Sequence, residues 1–150
     1  KFAEDYCNGQ EIMATVASKE RTIARENILK VLYQKDLNEY TFSDILKTFI
    51  EKRKYDKDYF ENIILLIEEN NEKIVSFIED NTDLKLRSLI PIDRSILILS
   101  VCEFIYRDDV PKKVILNESI NIAKKYSTEE SYKFINNILD QLLRCFDKND

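Results

Sequence analysis

The chain has 150 residues, 44% apolar and 34% charged, enough for one folded domain with a well-solvated surface. A formal net charge of -5 excludes a globally basic nucleic-acid binder and leaves room only for a local basic patch. There is no histidine and a single glycine, Gly9, which excludes a glycine-rich phosphate loop, a dinucleotide fingerprint and a nucleophile elbow, and argues against most enzyme classes.

Lys1 to Ile12 reads KFAEDYCNGQEI, acidic and without the apolar centre of a secretory signal. This stretch is either native or an upstream extension preceding a start at Met13. Residues 1–18 are therefore expected to be a disordered extension, outside the fold. From Lys19 to Leu37 the spacing predicts a first helix, capped by Ser18, with Ala24, Ile28, Val31 and Lys35 on one stripe and Leu32 beside it. A second helix follows Thr41–Phe42 and carries Ile45, Leu46, Phe49 and Ile50. A third begins near Asp56, where Tyr59, Phe60, Ile63, Ile64 and Ile67 repeat as one buried face. Asn70–Asn71 is read as a kink or a break, with a fourth segment carrying Ile74, Val75 and Ile78 to Asp80.

Asn81 to Pro91 is the clearest interruption, because Pro91 disfavours helical geometry at Ile90. Ile92 to Tyr106 is then apolar on nearly every side, the mark of a central helix. Pro111 opens a further helix to Tyr126. The last helix starts at a Ser127 or Thr128 cap, with Glu129 and Glu130 at the positive end of its dipole. Ser131, Ile135, Ile138, Leu139, Leu142 and Phe146 form its stripe. No strand pattern competes. The expectation is an all-α fold of about seven helices in two packed sub-bundles, about 19–80 and 91–147, within one domain spanning 19–147. No apolar run reaches the roughly 18 residues of a membrane span.

The three cysteines, Cys7, Cys102 and Cys145, are widely spaced. They predict reduced thiols in a reducing, cytoplasmic compartment, and without histidine they offer no zinc site and no cofactor attachment. Lys19 to Lys35 holds five basic and two acidic residues. Arg21 and Arg25, four apart, share a face that either holds phosphates or is an ordinary solvated surface. Glu68, Glu69, Glu72, Glu79, Asp80 and Asp83 form either a docking surface for a basic partner or a solvated face. Glu103 interrupts the most apolar helix and must be paired or lie at an interface, with Arg94 or Lys124 as candidate partners. Tyr33 and Phe134 are aromatics near charge, read either as core or as platforms for unpaired bases.

Three blocks carry a resemblance. The first is Ala24–Arg25–Glu26 followed by Val31–Leu32–Tyr33–Gln34. The second is Ile92–Asp93–Arg94–Ser95–Ile96–Leu97 running to Cys102–Glu103–Phe104. The third is Pro111 to Glu118, Ala123 to Ser127, and Lys133–Phe134–Ile135–Asn136–Asn137–Ile138–Leu139–Asp140. In this order the chain, over about Arg21 to Leu143, resembles the bacterial transcription antitermination factor NusB family. The resemblance implies a non-enzymatic, RNA-binding function. Its partners would be a single-stranded boxA-type element of ribosomal RNA transcripts, a NusE-type ribosomal protein and the RNA polymerase antitermination complex. It assigns Arg21 and Arg25 to RNA phosphates, Lys133 and Phe134 to backbone and base, and Glu130 to tuning RNA affinity. Tyr33 and Glu103 would face the ribosomal protein. A homodimer through helical faces, covering the RNA surface, is also among the states it implies. The alternative is a helical protein–protein interaction module of the same fold without RNA binding. Two departures stand out. Thr22 and Ile23 replace two members of an arginine run, and Asn137 replaces a glycine. Fewer phosphate contacts predict weaker, less salt-sensitive binding by the chain alone and more reliance on a partner.

Overall fold

The computed structural model describes residues 2–147, with side chains from Thr15 onward. Helix α1 spans Phe2–Leu37. It passes straight through Ser18, which is therefore no cap: its carbonyl accepts the Thr22 hydroxyl at 3.0 Å. Ala24, Ile28, Val31 and Leu32 are buried as the stripe requires, joined by Leu29.

Helix α2, Phe42–Thr48, starts where its sequence supplies a reciprocal cap. The Asp44 amide donates to Thr41 Oγ1 at 3.1 Å and the Thr41 amide to Asp44 Oδ2 at 3.3 Å. Helix α3, Lys57–Asp80, is capped by Asp56, whose Oδ1 accepts the Tyr59 amide at 3.1 Å. The segments expected on either side of Asn70 are one helix kinked there, with Asn70 at φ -123° and ψ 18°. Its side-chain amide donates to the Leu66 carbonyl at 2.9 Å, giving that acceptor a partner where the backbone leaves the helix.

After a short 3-10 turn, Leu86–Ser88, Ile90 is extended ahead of Pro91 and α4 runs Pro91–Tyr106. Helices α5, Lys112–Tyr126, and α6, Glu129–Asp147, complete the chain. Thr128 Oγ1 accepts the Ser131 amide at 3.1 Å and so satisfies one donor at the start of α6. The described residues thus form six α-helices, because the two segments joined at Asn70 count as one.

Helices α1–α3 form one sub-bundle and α4–α6 the other. Helix α4 is the shared member, packing against α1, α3, α5 and α6. Buried residues from all six helices join in one apolar cluster. Phe146 of α6 closes it from the far end, 5.2 Å from the Phe77 ring and 6.1 Å from that of Phe104. Helices α4 and α5 approach closely without glycine, since Ser100 and Ser119 are small enough to meet hydroxyl to hydroxyl at 2.6 Å. Among the described residues no helix is long and apolar enough to cross a membrane.

Candidate nucleic-acid interface

The arginine face of α1 divides at Arg21. Arg25, one turn on, is 3% exposed, and its Nε donates to Glu103 Oε1 at 2.9 Å and Oε2 at 3.1 Å. Its Nη2 donates to the Tyr59 hydroxyl at 3.4 Å, and Nη1 lies 4.0 Å from Glu118. Burial works against the Arg25 charge, but the charge and hydrogen bonds of Glu103 outweigh it and hold the guanidinium pKa above its ordinary value. Arg25 is a cross-brace between α1 and α4, and no face of it is open to a phosphate. Glu103 is 1% exposed and likewise turned inward. In this structure each residue is the other's partner. Of the partners expected for Glu103, Arg94 instead donates to Asp36 at 2.6 Å and to the Leu86 and Leu89 carbonyls. Lys124 stands 5.1 Å over the Tyr132 ring.

Tyr59 is the residue that sequence reasoning left as plain core. Its buried ring is approached by three guanidinium groups, Arg21 at 4.3 Å, Arg25 at 5.3 Å and Arg107 at 4.6 Å. Its spacing on α3 announced burial but not this company. Burial, with the Glu103 charge adding to it, pushes the Tyr59 hydroxyl well above its usual range, so it stays protonated.

Arg21 is half-buried, with Nη2 3.3 Å from Asp56 Oδ2. It borders a cavity of about 310 Å³ shared with Ser18, Asp56, Asp109 and Glu118. A phosphate arriving there meets a cation that already has a carboxylate, so Asp56 competes with it directly.

The α6 candidates stand differently. Lys133 is exposed, with Nζ 3.3 Å from Glu129 Oε1 across one turn. Glu130 is exposed beside it, and Phe134 is half-buried against the core. An exposed cation and a half-buried aromatic thus occupy consecutive positions near the start of α6.

Tyr33 is exposed on α1. It borders a shallow, mostly apolar cavity of about 380 Å³ with Leu29, Lys30, Ile90, Pro91, Ile92 and Tyr126. Ile90 is exposed there too, because its extended backbone before Pro91 turns it outward. Among the described residues no group of three or more acidic or cysteine side chains is placed to hold a metal ion.

The family model described as the NusB family matches residues 22–144, most of the chain and both sub-bundles. The chain belongs to the NusB family. A transcription antitermination protein NusB from Clostridium novyi is 38% identical over 131 residues, covering 83% of this chain and 98% of the relative. One from Listeria welshimeri is 43% identical over 120 residues, covering 79% and 92%. A solved NusB structure from T. maritima superposes with a TM-score of 0.73 at 32% identity, covering 83% of this chain and 90% of that one. The same NusB fold recurs in a crystal structure of the antitermination factors NusB and NusE in complex with dsRNA. That match has a TM-score of 0.74 at 23% identity and covers 85% of this chain and 98% of that one.

Proposed function

We propose that this chain is a cytoplasmic, non-enzymatic antitermination factor that binds a boxA-type single-stranded RNA together with a NusE-type ribosomal protein, within an RNA polymerase antitermination complex. The observation that carries the reading is the start of α6, in a chain whose NusB match covers residues 22–144. There exposed Lys133 and half-buried Phe134, consecutive on the helix, offer a phosphate contact and an aromatic ring for stacking. An unpaired base can stack on such a ring, whereas a base inside a duplex cannot. Glu130, exposed on the same turn, repels phosphate and so sets how tightly RNA is held. Arg21 adds a phosphate contact only as it exchanges Asp56 for RNA. The ribosomal protein is assigned to the apolar cavity at Tyr33 and Ile90. A fold neighbour that holds NusB and NusE with dsRNA is in keeping with an RNA and a NusE-type protein as partners.

The test is fluorescence anisotropy of a labelled boxA-type RNA at two salt concentrations, with and without the ribosomal protein and with a scrambled RNA as control. The expected result is selective, salt-weakened binding that the protein partner tightens. Lys133→Glu and Phe134→Ala are each expected to weaken it at least tenfold. Non-selective RNA binding with retained affinity for the ribosomal protein would replace this reading with that of a protein-docking module of NusB fold.

A further inference from the structure

Five cations outside the α6 site lie on one connected surface. Lys52, Arg53 and Lys54 belong to the segment between α2 and α3, and Lys124 and Lys125 to the end of α5. All five are exposed. A carboxylate of α1 draws the row together. Glu26 takes Lys125 Nζ at 3.0 Å, lies 3.8 Å from Arg53 Nη1, and accepts the Tyr126 hydroxyl. Glu51 accepts both Nε and Nη2 of Arg53 at 2.8 Å. Lys54 reaches Glu20 at 3.7 Å. At the other end Lys124 lies over Tyr132, the neighbour of Lys133, so the row runs up to the start of α6.

The charges are layered. The side chains of Glu26 and Glu51 are only 7% and 8% exposed, whereas those of Arg53 and Lys125 are 43% and 55% exposed. The anions lie beneath and fix the cations, which face outward. In a protein of net charge -5, this patch therefore presents positive charge to solvent. Cations held in place beforehand lose less freedom when a polyanion arrives. Lysine is depleted at the centres of protein–protein interfaces but common at phosphate contacts, which favours nucleic acid over an acidic protein as the occupant.

We propose that this row is a sequence-independent track for the phosphates of nucleotides flanking the element bound at α6. The proposal rests on the RNA-binding reading above and extends the RNA footprint along α5 and α1 to the segment between α2 and α3.

The test uses the full chain and two labelled RNAs, the boxA-type element alone and the same element with unstructured flanks. In the Lys52→Gln/Lys54→Gln/Lys125→Gln variant, affinity for the short RNA is expected to stay unchanged. Affinity for the flanked RNA should fall about tenfold, with a log–log salt slope smaller by about 2, from roughly 0.7 per phosphate contact on a single strand. Since Lys125 also neutralises Glu26, Lys52→Gln/Lys54→Gln serves as a second variant with that contact intact, and it should lose about two-thirds of the same slope. Lys125→Arg should keep the slope. Equal salt slopes for wild type and both variants on the flanked RNA would overturn the track, as would a loss seen equally on both RNAs. If in addition binding of a polyglutamate peptide falls, the surface serves an acidic protein instead. Failure of the α6 reading looks different: Lys133→Glu would then leave the short RNA unaffected.

Discussion

Replacing Glu103 with glutamine leaves the buried Arg25 guanidinium with Glu118, 4.0 Å away and partly exposed, as its remaining countercharge. It is expected to cost about 3–5 kcal/mol of folding stability, read as a lowered urea midpoint. Replacing Arg25 and Glu103 together with methionine should cost far less than the sum of the single changes, because the pair's desolvation cost disappears with it. The double-mutant cycle would also separate a cross-brace from a ligand, since a brace couples strongly to its partner in the free protein. Cys102 gives a second expectation. Burial pushes its thiol up to about 12, so a maleimide should leave it unmodified in the native protein and label it once the chain unfolds in urea. At this scale the sequence was only half legible. A carboxylate on an apolar helix announced that a partner must exist. The partner lies 78 residues away in the chain, and no spacing rule reaches that far. Arg21 and Arg25 share a face as their interval requires, but their interval says nothing of how deep α4 lies beneath that face.

Helix boundaries were far more legible, because capping is local chemistry. Thr41, Asp56, Pro91 and Thr128 each stand where a helix begins, and each acts through residues within four positions. Thr41→Ala removes one half of a reciprocal cap on a helix of only seven residues. It should destabilise the protein by about 1 kcal/mol in chemical denaturation, with the loss concentrated in amide exchange over α2. The start of α1 was not legible. Ser18 is a good cap in isolation, yet continuous helical backbone on both sides leaves it nothing to cap. The count of helices differed for a related reason. Asparagine at Asn70 signalled an interruption, but a kink with its own hydrogen bond resembles a termination until the chain is followed through it.

For the whole molecule, acid is the condition that tests the ion-pair network. Hydrogen bonding from Arg53 holds the Glu51 carboxyl down at about 2, against an ordinary value of 4.5. Glu26 and Asp109 are also held below their usual range: Tyr126 and Lys125 overcome the burial of Glu26, and Arg107 acts on Asp109. In the unfolded chain these groups take up protons at higher pH than in the native state. Their contribution is therefore complete above the ordinary value and is lost as pH falls through it toward about 2. Glu103, whose carboxyl burial pushes upward, acts in the opposite sense. Urea midpoints should decline from about pH 5 downward, and Glu51→Gln should make that decline shallower. The two-sub-bundle plan was legible from the all-round apolar character of the fourth helix, whereas the apposition of the segment between α2 and α3 with the end of α5 was not. It depends on side chains that meet on Glu26. The kink at Asn70 carries a dynamic consequence for this plan. A break in the backbone ladder of α3 separates a turn-by-turn relay into two shorter ones, each with its own nucleus and its own rate of opening. Helix α3 should therefore breathe as two units, the half after Asn70 exchanging its amides with solvent on a schedule independent of the half that carries Tyr59.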